Sequence, residues 1–247
     1  MQCLVQASAP REAPNAMQRL KRGRIRQIIA YHAYRTTYQP LLRLSDDRIE
    51  GRECLTRFEL EPYRSPDQWF QDASEVGLGL DLEFETMAAG LKGLAAMPPC
   101  DYLALNISPE ALRDPRLCAL LAMVDLSRIV LELTEHAPVC DYGPILRILA
   151  PLRSRGLRVA VDDVGAGYAN LRHILCLKPD MIKLDISLTR DIQHCPAQIA
   201  LLAGLVPFGK AIGARIVAEG VETVPQLRQL RGLGVDVAQG YLLGRPI

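Results

Sequence analysis

The stretch LRVAVDDVGAGYANL, residues Leu157–Leu171, guides the interpretation of the whole chain. It opens as an apolar run with the β-branched residues Val159 and Val161, which predicts a buried β-strand. Two adjacent carboxylates, Asp162 and Asp163, end the run, and because they repel each other one must bind a proton or a cation must lie nearby. A divalent metal that prefers oxygen ligands, such as Mg²⁺ or Mn²⁺, would serve. An Asp-Asp-x-Gly turn that only caps a helix is the alternative.

The composition argues against several classes of protein. The chain of 247 residues is 49% hydrophobic, enough for a sizeable core, and its net charge of +1 gives no general attraction to nucleic acid or membranes. Its seven scattered cysteines lack CxxC spacing, which favours reduced thiols over a zinc site or a disulfide framework. Because no membrane span or signal-peptide core is visible, we expect a cytoplasmic protein without membrane insertion. The low net charge leads us to expect no nucleic-acid binding.

Strand-like runs that alternate with helical patterns indicate the fold class. The short connection Ser45–Asp47 predicts an antiparallel hairpin for the first two runs, and the later strand–helix units predict a parallel sheet covered by helices. We therefore predict an α/β fold, a modified TIM-like (β/α)8 barrel with an antiparallel first strand, with an open doubly wound sheet as the alternative. Two helical patterns run from Asp81 to Met97 and from Ser108 to about Met123. The strand-like runs are Thr37–Arg43, Ile49–Glu59, Tyr102–Ile107, Arg128–Leu133, Leu157–Val161, Asp180–Leu184, Arg215–Ala218 and Asp236–Tyr241.

Nearly every predicted strand ends in a polar side chain. Because the carboxyl ends of barrel strands meet at one face, where active sites lie, we expect these side chains to converge. Each has an ordinary explanation by itself, such as a turn or a surface ion pair. Together they are costly to bury unless they are paired or bind metal. In chain order they are Glu53, Asn106, Glu132, Glu135, Asp162, Asp163, Lys183, Asp185, Glu219, Glu222 and Gln239.

The charge balance at this face predicts metal ions. A single lysine, Lys183, cannot neutralise the carboxylates of Glu53, Glu132, Asp162, Asp163 and Glu219, whereas two divalent cations would balance most of their charge. Two metals ~3.5–4 Å apart are a common device for hydrolysing phosphate esters. The glycines that follow the paired aspartates, Gly165 and Gly167, allow backbone angles closed to other residues and predict a mobile loop beside the site.

The start of the chain differs from the rest. Met1–Gln18 contains two prolines and many small residues, which predicts disorder. Five positive charges then lie between Arg19 and Arg26, either as a contact for an anionic partner or as the solvated face of a helix. We expect residues 1–34 to form a basic extension, partly disordered or helical, too short for a sensor domain. Residues 35–247 are expected to form the folded domain that contains the strand-end side chains.

Eight short motifs in order resemble those of the EAL-domain phosphodiesterases of bacterial cyclic di-GMP signalling. The resemblance covers the chain from about Tyr38 to Pro246. It implies a modified TIM-like barrel that binds cyclic di-GMP across its C-terminal face and hydrolyses one phosphodiester to linear pGpG. The motifs are YQPLLRL (Tyr38–Leu44), ECLTR (Glu53–Arg57), NISPEAL (Asn106–Leu112), ELTE (Glu132–Glu135), DDVGAGYANL (Asp162–Leu171), PDMIKLD (Pro179–Asp185), AEGVET (Ala218–Thr223) and QGYLLGRP (Gln239–Pro246).

The resemblance also implies cofactors and catalytic roles. Two divalent ions, Mg²⁺ or Mn²⁺, are expected, and Ca²⁺ is expected to bind but inhibit. Lys183 and Gln239 would hold the attacking water. Its proton acceptor stays open among Asp162, Glu219 and a hydroxide on the metal. The implied metal ligands are Glu53, Asn106, Glu132 and Asp162 for one ion, with Asp162 shared with a second ion near Asp163 and Glu219.

Further residues are implied to bind the substrate or to hold the loop. Glu135 and Glu222 would hold the DDVGAGYANL loop and Lys183 in place, and Gly165 and Gly167 belong to that loop. The family also implies a homodimer. The implied substrate-binding residues are Gln39, Leu55, Arg57, Asp185 and Tyr241.

Departures from the family's pattern leave alternatives open. Cys54 replaces the namesake alanine and could sense oxidation or simply pack as an inert thiol. Val164 stands where the family usually has Phe, Ala166 where it has Thr or Ser, and Ala169-Asn170 where it has Ser-Ser. The loop could therefore be looser than in relatives. The alternative function is therefore a catalytically weak or silent cyclic di-GMP receptor. An unrelated metal-dependent barrel hydrolase would require the eight motifs to be coincidental.

Overall fold

The computed structural model describes residues 15–133, 141–165 and 170–247, without the side chain of Asn170. Eight strands form a closed barrel in chain order, which confirms the predicted fold class. The first strand runs antiparallel to both of its neighbours, and the other neighbouring strands are parallel. The strands are β1 (Tyr34–Arg43), β2 (Arg48–Phe58), β3 (Tyr102–Ile107), β4 (Ile129–Leu133), β5 (Arg158–Val164), β6 (Met181–Leu184), β7 (Arg215–Ala218) and β8 (Val237–Ala238).

Helices cover the outside of the barrel. Most begin with local signals visible in the sequence, such as the capping boxes of Ser65 with Gln68 at α2 and of Thr223 with Gln226 at α10. The α-helices of the described residues are α1 (Ala16–Tyr31), α2 (Pro66–Glu75), α3 (Gly79–Lys92), α4 (Pro109–Arg113), α5 (Arg116–Leu121), α6 (Gly143–Arg153), α7 (Asn170–Leu177), α8 (Ile186–Thr189), α9 (Pro196–Ile212) and α10 (Val224–Gly232).

Two predicted helices differ from the observed ones. The pattern from Ser108 to Met123 forms two short helices, α4 and α5, because Asp114 takes an extended conformation before Pro115. The pattern from Asp81 to Met97 is helical only to Lys92 and then tightens into a 3-10 turn, Gly93–Ala96. Neither difference moves a strand end.

A small apolar layer fills the barrel interior. It is a cluster of buried residues separate from the larger core, which lies between the outer strand faces and the helices. Because side chains alternate along a strand, the residue two positions later points into the barrel again, nearer its C-terminal end. The interior layer consists of Leu41, Tyr102, Ala104, Val130, Ala160, Met181, Val217 and Val237.

The basic segment before the barrel is helical from Ala16 onward. Ile25 and Ile28 of α1 are buried in a third cluster together with Phe58 and Trp69, so α1 packs on the same unit as the end of β2. Residues 1–14 lie outside the described part, and the predicted domain border after residue 34 stays a prediction.

Candidate active site

The polar residues predicted from the strand ends form a layer directly above the apolar one. Asn106 lies two residues after Ala104, and Glu132 lies two residues after Val130. The same offset holds for the pairs Ala160 and Asp162, Met181 and Lys183, Val217 and Glu219, and Val237 and Gln239. Strand periodicity alone therefore places these side chains at the C-terminal mouth of the barrel.

Lys183 is the centre of this layer and is 1% exposed. Its Nζ lies 2.7 Å from Glu219 Oε1, 2.8 Å from Glu132 Oε2 and 3.0 Å from Asp162 Oδ1. Glu53 Oε1 lies at 3.6 Å. Four carboxylates thus surround one ammonium group and leave a formal excess of negative charge.

Two amides hold Glu53 from the other side. Asn106 Nδ2 donates to Glu53 Oε1 at 3.0 Å, and Gln239 Nε2 donates to Glu53 Oε2 at 2.6 Å. Gln239 Nε2 also donates to Gln39 Oε1, and Gln39 Nε2 donates to the carbonyl of Gly244. The buried Glu53 carboxylate therefore links β2 to β3 and to the residue after β8, and Gln239 extends the link to β1.

The protonation of the four carboxyl groups follows their surroundings. Burial acts to raise the pKa of Glu53, but the Lys183 ammonium and the two amides outweigh it and hold this pKa below its ordinary value. Burial, with repulsion from Glu53 and Asp162, raises the pKa of Glu132 well above its ordinary value despite Lys183. Burial and repulsion from Asp162 and Glu53 likewise raise the pKa of Glu219 to about 8. Although burial opposes it, the surrounding carboxylates raise the pKa of Lys183, which stays charged.

These residues fit a divalent metal. One oxygen each from Asp162, Asp163 and Glu219 lie within 4.8 Å of one another, so a single ion could contact all three. The donors are oxygens, which Mg²⁺, Mn²⁺ and Ca²⁺ prefer. Asp163 adopts a left-handed backbone with φ of 52°, which turns it away from strand geometry at the mouth. A cation would also relieve the repulsion that raises the pKa values of Glu132 and Glu219.

The other predicted site residues lie farther out or are already engaged. Arg57 lines a cavity of about 280 Å³ with Arg35, Tyr63 and Arg64, and its guanidinium donates to the carbonyl of Thr56 at 3.1 Å. Leu55 pairs with Thr37 across the β1–β2 ladder and lies two residues above Glu53.

Asp185, Tyr241 and Glu222 follow the strand ends. The Asp185 side chain accepts from Ser187 N at 2.9 Å and caps α8. Tyr241 is 53% exposed, with the Arg245 guanidinium 4.6 Å from its ring centroid. The Glu222 side chain is exposed, and among the described residues it contacts neither Lys183 nor another cation.

Part of the predicted loop can be placed. Gly165 has φ of +120°, and a Cβ there would collide with Leu188, so both conformation and space require glycine. Glu135, Ala166, Gly167 and Ala169 lie outside the described residues, as does the side chain of Asn170. Val164 is buried in the core behind the loop.

Two buried residues beside the site were missed. Thr189 and Gln226 bond to the backbone of the loop that follows Glu219. The T-x-x-Q pattern at residues 223–226 predicts a helix start, but it gives no sign of a contact with Thr189, 37 residues away.

Comparison with known proteins supports one family. Residues 22–246 match the family model described as EAL domain, which confirms the resemblance. The chain is 32% identical over 241 residues to an uncharacterized protein, y4lL, of Sinorhizobium fredii, covering 94% of this chain and 29% of that protein. It is 31% identical over 222 residues to the cyclic di-GMP phosphodiesterase RocR of Pseudomonas aeruginosa, covering 85% of this chain and 56% of RocR. The chain thus spans less than two thirds of these relatives.

Solved structures agree with the fold. The EAL enzyme Bd1971 in its cAMP- and cyclic-di-GMP-bound form superposes with a TM-score of 0.85 at 22% identity, covering 94% of this chain and 66% of that one. BlrP1 of Klebsiella pneumoniae in a manganese and cyclic di-GMP complex has a TM-score of 0.76 at 28% identity, covering 87% of this chain and 56% of that one. Within the described residues, no helix has the length and apolar character to cross a bilayer.

Proposed function

The chain belongs to the EAL domain family, and we propose that its carboxylate layer is the active site of a metal-dependent cyclic di-GMP phosphodiesterase that releases linear pGpG. The single observation that carries the proposal is the convergence of Glu53, Glu132, Asp162 and Glu219 on one mouth of the barrel. RocR, named a cyclic di-GMP phosphodiesterase, and the complexes of BlrP1 with manganese or calcium and cyclic di-GMP support the substrate and the type of metal.

The residues divide into two groups of ligands. We assign Glu53, Asn106, Glu132 and Asp162 to one divalent ion, and Asp162, Asp163 and Glu219 to a second. Asn106 would present its amide oxygen after a flip of the side chain that now donates to Glu53. When bound, such ions polarise a phosphate and lower the pKa of a coordinated water.

The remaining chemistry falls to side chains of the chain itself. The Lys183 ammonium would offset the negative charge that develops on the phosphate oxygens. Gln239 Oε1 is buried and has no hydrogen-bond partner among the described residues, so it can accept from the attacking water and orient it. Either Asp162 or Glu219 would take that water's proton, because both carboxylates lie at the proposed metal site.

The substrate would lie across the mouth towards β2. Leu55 and Arg57 continue the same strand face above Glu53, so they would contact the base and phosphate of the nucleotide. Gln39, Asp185 and Tyr241 complete the proposed substrate contacts. Tyr241 offers an exposed ring two residues after Gln239.

Further parts of the proposal concern the loop, assembly and location. We assign Glu135, Glu222, Gly165 and Gly167 to the shaping of the loop after β5. Leu171 and Leu175 of α7 are 60% and 64% exposed, which supports a homodimer formed next to this loop. Calcium would bind without supporting turnover, since it tolerates looser geometry than Mg²⁺. We also propose that the protein acts in the cytoplasm.

Product analysis tests this function. Wild-type protein with Mg²⁺ or Mn²⁺ should convert cyclic di-GMP into pGpG, and Glu53→Ala should lose the conversion. Glu110→Ala removes an exposed glutamate of α4 and serves as the matched control. Wild-type protein that binds cyclic di-GMP without releasing pGpG in either metal would instead support the receptor alternative.

A further inference from the structure

We infer that Gln226, together with Thr189, is a positioning residue that aims Glu219 at the metal site, an inference that rests on the proposed function. Gln226 lies on α10 and is 3% exposed, and Thr189 ends α8 and is fully buried. Within the described residues, neither side chain hydrogen-bonds to a carboxylate group of the layer. Both act on the backbone of the loop between β7 and α10, which begins with Glu219 and Gly220.

The side-chain amide of Gln226 uses all of its hydrogen-bonding capacity on the backbone of this loop and on the end of α8. Its Nε2 donates to the carbonyls of Thr189 at 3.0 Å and Gly220 at 3.1 Å. Its Oε1 accepts from the backbone N–H of Glu222 at 2.9 Å and, at 3.4 Å, from that of Thr223. These contacts need two N–H donors and one acceptor oxygen at the end of a side chain as long as that of glutamine, which explains why glutamine occupies position 226.

Thr189 adds a bond at the functional residue itself. Its Oγ1 donates to the backbone carbonyl of Glu219. Because α8 directly follows β6, which carries Lys183, and Gln226 donates to the carbonyl of Thr189, the two residues connect the segment after the lysine with the segment after the glutamate. They therefore fix the relative position of the two partners of the 2.7 Å Lys183–Glu219 contact.

The loop has little freedom elsewhere. Gly220 has φ of +64°, and a Cβ at this position would collide with Ile186 of the same α8 segment. Val221 N donates to the carbonyl of Gln239 at 2.9 Å, which ties the loop to the strand end that carries the proposed water-orienting amide. Glu219 N also donates to the carbonyl of Leu184 at 3.3 Å, so backbone bonds hold both sides of the loop and the Gln226 amide holds its centre.

The expected consequence is a change in metal affinity rather than in folding alone. Loss of outer-shell bonds commonly lowers metal affinity by about 10–100-fold. Gln226→Met keeps the length of the side chain and removes every polar contact. Thr189→Val keeps the shape and removes the hydroxyl, which donates to the carbonyl of Glu219 and also to that of Ile186 within α8, whereas Thr189→Ser retains that hydroxyl. Gln229→Met alters another glutamine of α10, which makes no side-chain hydrogen bond within the described residues, and serves as the matched control.

The test measures Mn²⁺ binding by calorimetry on the folded full chain. It is paired with hydrogen exchange of the Glu222 amide in metal-free protein. Gln226→Met and Thr189→Val should bind Mn²⁺ about 10–100-fold more weakly, with faster Glu222 exchange in Gln226→Met, while Thr189→Ser and Gln229→Met should remain within about threefold of wild type. If Gln226→Met does not fold, the Val and Ser variants of Thr189 decide the question alone.

Several results would overturn the inference. One is a lower melting temperature in Gln226→Met and Thr189→Val with unchanged Mn²⁺ affinity, which would make the role purely structural. Another is equal weakening in Thr189→Val and Thr189→Ser, or wild-type protein that binds no Mn²⁺. If the variants change Mn²⁺ affinity as expected but wild-type protein does not hydrolyse cyclic di-GMP, the proposed phosphodiesterase activity is rejected and the positioning role of Gln226 and Thr189 stands.

Discussion

The two ends of the barrel bury charge in opposite ways. At the N-terminal end, Glu50 is 8% exposed and faces two arginines, with Arg215 Nη1 at 2.7 Å and Arg43 Nε at 3.0 Å. The hydroxyl of Tyr102 donates to the same carboxylate, and the Arg158 guanidinium lies 4.5 Å from the Tyr102 ring centroid. One carboxylate is thus matched by more than one cation.

At the C-terminal end the ratio is reversed. Four carboxylates share the single ammonium of Lys183, and Asp163 stands beside them. Buried charges that are already paired serve to hold elements together, whereas an unbalanced set calls for an additional cation. In this barrel, therefore, buried charge by itself does not mark the functional site, whereas an excess of buried carboxylates over cations does.

Removing the central cation at each end should separate the two roles, and the largest effect is expected at Lys183. Lys183→Ala should lower kcat for cyclic di-GMP by about 100–1000-fold, because the charge that offsets the developing negative charge is lost. Steady-state kinetics with Mn²⁺ measures this. Lys210→Ala, at an exposed position of α9, is the control. A Lys183→Ala rate within threefold of wild type would contradict the assigned role.

At the opposite end the same kind of change should affect stability instead. Arg215→Ala leaves Glu50 with Arg43 as its remaining ion-pair partner, so the free energy of unfolding should fall by about 1–3 kcal/mol. Denaturant unfolding gives this value, and kcat of the folded variant should remain that of wild type. An Arg215→Ala variant with wild-type stability but weaker Mn²⁺ binding would contradict the structural role assigned to this end of the barrel.

The dependence of metal binding on pH should distinguish the ends further. Glu219, with a pKa of about 8, is protonated in neutral metal-free protein, and a metal must displace that proton. Mn²⁺ affinity should therefore rise with pH, and the proton that Glu219 releases should contribute up to about tenfold per unit below about pH 8. Calorimetry across this range measures the slope. Glu219→Gln should make the slope shallower and leave the part due to Glu132, whose pKa is also raised, whereas Glu50→Gln should not change it. An unaltered slope in Glu219→Gln would show that another group loses the proton.

The smallest effect concerns the thiol next to Glu53. Burial, with the charges of Glu53 and Glu132, raises the pKa of Cys54 to about 12, so this thiol should resist alkylation at neutral pH. Cys100 and Cys118 are exposed and should react. Mass spectrometry after brief iodoacetamide treatment compares them. Rapid labelling of Cys54 in folded protein would favour the oxidation-sensing interpretation over inert packing.

The sequence predicted what depends on local patterns. Apolar runs placed all eight strands, and the polar residues at their ends identified the layer that contains Glu53, Glu132, Asp162, Lys183 and Glu219. Strand periodicity and the convergence of strand ends in a barrel are sufficient for both predictions.

The sequence did not predict what depends on tertiary contacts. Lys183 contacts four carboxylates, and this could not be predicted because a sequence pattern gives no distances between side chains of different strands. The bond from Gln226 to Thr189 joins two helices whose sequences give no sign of the contact. The break between α4 and α5 could have been predicted, because the residue before a proline avoids helical angles. The helical spacing of apolar residues on both sides of Pro115 instead suggested one continuous helix.

An anomalous-diffraction experiment on crystals grown with Mn²⁺ tests whether the unbalanced carboxylates hold metal. Manganese peaks are expected at the C-terminal mouth, coordinated by oxygens of Glu53, Glu132, Asp162 and Glu219, and none beside Glu50. Crystals saturated with Mn²⁺ in which these four carboxylates point in different directions, with no peak between them, would contradict this expectation.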